Sequence, residues 1–93
     1  MRKIILEGHI VVSDADLAAV KAELPTHVQL TRQEAGCLCF HVNQSVEADN
    51  VFYVYEEFID QRAFEEHQRR VMSSSWGKAA ANVQRHYQVT KAE

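Results

Sequence analysis

The stretch Phe52-Tyr53-Val54-Tyr55-Glu56-Glu57-Phe58-Ile59-Asp60-Gln61-Arg62-Ala63-Phe64-Glu65-Glu66-His67 changes its periodicity part-way along, and that change decides the fold. From Phe52 to Phe58 the residues are aromatic and β-branched with a period of two, as a pleated and mostly buried strand prefers. Asp60 then offers a side-chain oxygen for the first-turn N–H groups of a helix, and the apolar spacing becomes 3.6. Strand parity puts Phe52, Val54, Glu56 and Phe58 on one face. Helix periodicity puts Ala63, Phe64, His67 and Val71 on one face. Docking the two brings Glu56 and His67 into a single apolar layer, where an unpaired ionisable group is costly. That pair is therefore the first candidate for chemistry.

Working outward, Cys37 to Asn43 reads as a strand with Leu38, Phe40 and Val42 on one side and Cys37, Cys39 and His41 on the other. The polar run Gln44 to Asn50 connects it to the strand Val51 to Phe58 as a hairpin. Toward the N-terminus, Ile4 to Val12 is a strand and Ser13 to Asp16 a turn and cap cluster, followed by a helical stripe of Leu17, Val20 and Leu24. Pro25 predicts a break or kink, with a second helical piece from Thr26 to about Glu34 and Gly36 ending it. Beyond the central stretch the helix runs from about Asp60 to Arg70. A short helical face of Trp76, Ala79, Ala80 and Val83 follows, then a strand from Arg85 to Thr90 and a tail of Lys91, Ala92 and Glu93. The order is βαββαβ: an α+β domain of the ferredoxin-like, split-βαβ kind spanning residues 1–93, with one antiparallel sheet and its helices on one face.

Such a sheet should alternate apolar and polar, yet the face carrying Ile5, Val11, Cys37, Cys39, Val51, Tyr53 and Tyr55 is too apolar for water. A second copy of the sheet is the simplest cover, so a homodimer is expected. Composition narrows the remaining partners. The net charge of −3, without a Lys/Arg run, argues against nucleic acid or an anionic membrane. No run reaches the roughly 20 apolar residues of a membrane helix, and Glu7 and His9 interrupt any signal-like start, so the reading is a cytoplasmic protein.

Cys37 and Cys39, two apart on a strand, would share a face at a spacing unsuited to a relaxed disulfide, which reads as two reduced thiols. His41 gives only a third donor toward the four of a zinc site, so no metal is expected. Nor is there a glycine-rich phosphate loop or a nucleophile elbow, and no bound cofactor is expected.

The run Thr31-Arg32-Gln33-Glu34-Ala35-Gly36-Cys37-Leu38-Cys39-Phe40, the strand Phe52 to Phe58, and then Asp60, Ala63, Phe64 and His67 together resemble the antibiotic biosynthesis monooxygenase family of dimeric α+β barrels. The resemblance spans nearly the whole chain. It implies a cofactor-independent monooxygenase acting with molecular oxygen on a small aromatic or quinol-type substrate. Its alternatives are an isomerase or degrading enzyme for a small signalling carbohydrate, or a non-catalytic dimeric small-molecule-binding module. Haem-degrading relatives carry an Asn on the first strand and a Trp on the later helix, where this chain has Glu7-Gly8-His9 and His67, so that activity is set aside.

The expected pocket lies between sheet and helices, with Phe40, Phe52, Phe64 and Trp76 as its substrate-contacting walls and Glu56 and His67 as its catalytic pair. Two roles stay open for that pair. His67 takes a proton from an acidic hydroxyl while Glu56 holds the ring in one tautomer, or the two form a structural hydrogen bond. Arg69 and Arg70 read as a solvated helix face, the alternative being attraction of an anionic substrate.

Overall fold

The computed structural model describes residues 2–92, so Glu93 of the expected tail lies outside the described residues. The chain runs β1 (Lys3–Val11), α1 (Asp14–Arg32), β2 (Cys37–Gln44), β3 (Val51–Phe58), α2 (Gln61–Met72), α3 (Ser75–Ala79) and β4 (Gln84–Ala92). The four strands form one antiparallel sheet in the order β2-β3-β1-β4. This is the ferredoxin-like βαββαβ arrangement. Lys91 and Ala92, read from the sequence as tail, extend β4. No helix among the described residues is long and apolar enough to cross a membrane.

One face of the sheet carries the core. Ile4, Leu6, Ile10, Phe52, Val54 and Phe58 are buried there against Val20 of α1, Phe64 of α2, and Trp76 and Ala80 in and just after α3. The expected cap at Asp60 forms, accepting from the Ala63 N–H at 2.8 Å; Ser74, not expected as one, caps α3 by accepting from the Gly77 N–H at 3.0 Å, while Ser13 stands at the N-cap of α1 without a side-chain bond. Asp60 and Ser74 each satisfy an N–H that the helix itself cannot.

Two expectations are corrected. Pro25 does not break α1, which is continuous from Asp14 to Arg32. The proline sits on the exposed side of the helix, so the Lys21 carbonyl it leaves without a donor is on the side water can reach. The consequence is that the stripe of Leu17, Val20 and Leu24 carries on through His27 and Thr31, both buried.

The second correction concerns β2. Cys37 pairs with Phe58 and Cys39 with Glu57, because a β-bulge inserts Leu38 between them. Residues directly opposite in a sheet share a face. Cys37 therefore turns to the core, where it packs, while Cys39 shares the outer face with Glu57. The two thiols lie on opposite faces rather than one, and Leu38, expected inside, is 54% exposed. Bulging of this kind re-aims side chains beside functional sites. The Arg32 guanidinium secures the distorted strand by donating twice to the Phe40 carbonyl, at 2.8 and 3.0 Å.

Just before the bulge, Gly36 comes so near α2 that a Cβ added to it would lie 2.4 Å from the Ala63 Cβ. The Ile59 N–H donates to the Gly36 carbonyl at 2.9 Å, pinning the approach. The helices cover β2, β3 and β1 but leave the inner face of the edge strand β4 partly open, with Tyr87 and Val89 exposed there.

Candidate active site

Where the helices stop short of β4, a cavity of about 490 Å³ opens between helices and sheet. That is within the usual range for small-molecule sites. Leu6, Ile10 and Val54 form its floor, and Phe40, Phe64, Val71, Trp76 and Val83 its walls. Of the four aromatic residues expected there, Phe40, Phe64 and Trp76 line the cavity. Phe52 does not: it is 1% exposed and belongs to the core. Its partners are Ile10 and Gln44, a position toward the far end of β3 from Glu56.

Glu56 and His67 both face the cavity and both are buried. The Glu56 Oε1 lies 3.7 Å from the His67 Nε2, too long for a hydrogen bond but close enough for both atoms to engage one small group. What holds the imidazole is Glu34. The His67 Nδ1 lies 3.0 and 3.2 Å from the two Glu34 oxygens. A carboxylate can only accept, so Nδ1 carries the proton and Nε2 is left as the acceptor facing Glu56. Arg70 completes the support, donating from Nε to Glu34 at 2.6 Å and from Nη2 to the Thr31 hydroxyl at 2.9 Å. Thr31 in turn donates to the His27 carbonyl. Arg70 thus braces the site rather than forming the solvated face that the sequence suggested.

The electrostatics follow from burial. Glu56 is pushed up to about 8 by loss of water and, secondarily, by the charge of Glu34. It is therefore mainly a neutral acid at pH 7, able to donate a hydrogen bond. Burial lowers His67 below the ordinary imidazole value, with its bond to Glu34 opposing the drop. His27 is driven down to about 3 by burial, then by His67 and Arg70. Its ring lies flat on Trp76, with centroids 4.5 Å apart and 5° between planes, and edge-on to Phe40. A neutral imidazole is thereby built into the aromatic wall, and its Nδ1 has no hydrogen-bond partner.

His27, Glu34 and Arg70 had no place in the sequence-based site. The signal for two of them was present. Continued past Pro25, the spacing Leu17, Val20, Leu24 predicts His27, Thr31 and Glu34 on the same side of α1 and its first residues beyond. Of Cys37, Cys39 and His41, considered as metal donors, the bulge turns Cys37 to the core face, away from the other two. Among the described residues no group of three or more His, Cys, Asp or Glu side chains is arranged to hold a metal ion.

The sequence also matches a known family. Residues 4–88 fit the profile of the antibiotic biosynthesis monooxygenase family. The chain belongs to that family. Solved structures agree in fold across the whole domain. A "putative antibiotic biosynthesis monooxygenase" of Nitrosomonas europaea superposes with a TM-score of 0.75 at 17% identity, covering 100% of this chain and 97% of that one. A Bacteroides thetaiotaomicron protein described as a possible oxidoreductase gives 0.76 at 12% identity, covering 97% of each chain. A Pseudomonas aeruginosa protein gives 0.72 at 22% identity, over 97% of this chain and 90% of that one. No curated protein sequence matches this chain significantly.

Proposed function

We propose that this member of the antibiotic biosynthesis monooxygenase family is a cofactor-independent monooxygenase of a small, electron-rich hydroxyaromatic or quinol-type substrate. The observation that carries the reading is the Glu34–His67–Glu56 series inside an apolar cavity. The Glu34 carboxylate fixes the Nδ1–H of His67, so Nε2 is free to take the proton of a substrate hydroxyl. The resulting electron-rich anion is the reductant for dioxygen. For a quinol, one oxygen atom becomes a hydroxyl on a ring carbon and the other leaves as water, the ring ending at the quinone level, so that dioxygen is the only oxidant needed. Neutral Glu56 donates a hydrogen bond to the oxygen on which negative charge grows. The aromatic walls exclude water from the reactive anion.

The same reading places two copies of the chain face to face through the outer side of the sheet. Its support is the apolar content of that side, where Ile5, Val11, Val51 and Tyr55 are only half-buried and Tyr53 is 55% exposed.

Oxygen uptake with a panel of quinols and dihydroxyaromatics tests the activity. His67→Ala is expected to lower turnover by roughly 10²- to 10⁴-fold with the fold retained. Binding of the panel by the wild type without any oxygen consumption would make the protein a binding module instead.

A further inference from the structure

The outer face of the sheet, which the cavity chemistry does not use, carries a pair of histidines. His9 on β1 is aligned with His86 on the edge strand β4 and, on its other side, with Tyr53 on β3. The two imidazoles are stacked, with centroids 4.7 Å apart and 19° between planes, and the Tyr53 ring meets His9 edge-on at 6.4 Å. Gly8 lets the strands close in at this point. Its φ of +153° suits only glycine, and an added Cβ would collide with the His86 carbonyl. Neighbours held this close on one face act on each other directly. Two neutral rings stack favourably, whereas two imidazolium rings at the same separation repel.

Few groups can answer a charge there. The next β1 residue on this face is Glu7, about 7 Å along the strand and aligned with Tyr55 and Gln88 rather than with either histidine. β3 offers the Tyr53 phenol with Asn43 of β2 beyond it, β4 has Gln84 and Gln88 on either side of His86, and the helices lie behind the sheet. Glu57, farther along, is engaged by Lys3 at 2.9 Å and by the Tyr55 hydroxyl. Among the described residues neither histidine forms an ion pair. While the face is open, water solvates a charge on either ring. A second sheet laid over it removes that water and leaves the charge beside another imidazole. We infer that the stacked His9 and His86 form a pH switch for self-association: two copies stay joined through this face while the rings are neutral and part when the rings are protonated. The inference rests on the face-to-face pairing proposed above and adds its control by protons. An imidazole in water takes its proton near pH 6.5. The free protomer accepts protons that the dimer refuses, so association is complete above that range and weakens as pH falls through it. Each proton taken up on dissociation raises the dissociation constant about tenfold per pH unit, and a twofold pairing counts each ring twice.

Sedimentation equilibrium at pH 7.5 and 5.5 tests the switch. For the wild type the dissociation constant is expected to rise roughly tenfold or more at the lower pH and to recover on neutralisation, with far-UV circular dichroism unchanged. The double variant His9→Gln, His86→Gln keeps polar side chains that cannot take a proton, and its constant should change by no more than about twofold. Calorimetric dilution of the wild type at pH 6, in buffers of different ionisation heat, reads the same switch without a variant: dissociation should take up about one proton or more per dimer. A level constant with no proton uptake overturns the inference and leaves the dimer intact. A double variant as acid-sensitive as the wild type overturns it too, because the titrating groups would then lie elsewhere. A wild type that is monomeric at pH 7.5 removes the dimer and the switch together, while oxygen uptake decides the cavity chemistry separately.

Discussion

His67 of α2 donates its Nδ1–H to Glu34, a residue 33 positions earlier, just past the end of α1. The bond crosses the space between two helices and fixes which face of the imidazole the cavity meets. Arg70, three residues farther along α2, donates to the same carboxylate oxygen at 2.6 Å. The tautomer of the candidate base is therefore set by residues that do not line the cavity.

Glu34→Gln tests this arrangement. The amide keeps the shape of the side chain and removes its charge. Burial already lowers His67 and Glu34 opposes that drop, so the variant's His67 should titrate at still lower pH. NMR titration of the imidazole measures it directly. An unchanged His67 titration would show that the carboxylate does not tune the ring.

Stability should depend on pH in opposite senses for Glu56 and His27. Glu56 is raised in the folded state from 4.5 to about 8, so its contribution is complete below 4.5 and is lost as pH rises through 8. His27 is lowered from 6.5 to about 3, so the unfolded chain takes a proton that the folded one refuses and stability falls as pH drops from 6.5 toward 3. Between 4.5 and 6.5 the two slopes oppose one another. The two slopes cancel there, so stability is expected to be level between pH 4.5 and 6.5 and to decline on either side. Glu56→Gln should abolish the alkaline decline, a gain on the order of a few kcal/mol by pH 9, read from urea unfolding across the pH range.

Phe52 and Phe64 should respond differently to truncation although both are buried. Phe52→Leu is expected to cost roughly 1–2 kcal/mol of stability with ligand affinity unchanged, because its ring packs in the core and does not line the cavity. Phe64→Leu alters a cavity wall and should change affinity for aromatic probes as well. Equal affinity losses in the two variants would contradict this division.

Tyr53→Glu places a charge in the middle of the sheet's outer face, opposite His9 on β1. If two copies pack there, the charge is desolvated and the variant should run as a monomer or aggregate, while the wild type scatters light as a dimer at micromolar concentration. A monomeric wild type would remove the face-to-face pairing.

The βαββαβ order was legible because its elements carry strong local signals: aromatic alternation from Phe52 to Phe58, an N-cap at Asp60, and the polar run before Val51. Glu56 and His67 were legible for the same reason, since each is the polar exception on an otherwise apolar face. Glu34 and His27 were not, because the proline rule cut α1 in two and hid the continuation of its buried stripe. Tertiary packing overrode that local preference. The reversal of Cys37 and Leu38 was invisible because a bulge changes parity without changing composition.

The close approach of Gly36 to Ala63 bears on more than packing. Gly36 lies two residues after Glu34, and Ala63 lies one helical turn before His67, so this contact is the spacer that sets how far apart the two hydrogen-bonding partners begin. A single methyl group at residue 36 would act as a shim. It would prise β2 from α2 and stretch the Glu34–His67 bond while leaving both of those residues, and every cavity wall, chemically intact. The tuning of the imidazole thus has a mechanical tolerance of less than one carbon atom, set at a point that ligand never reaches.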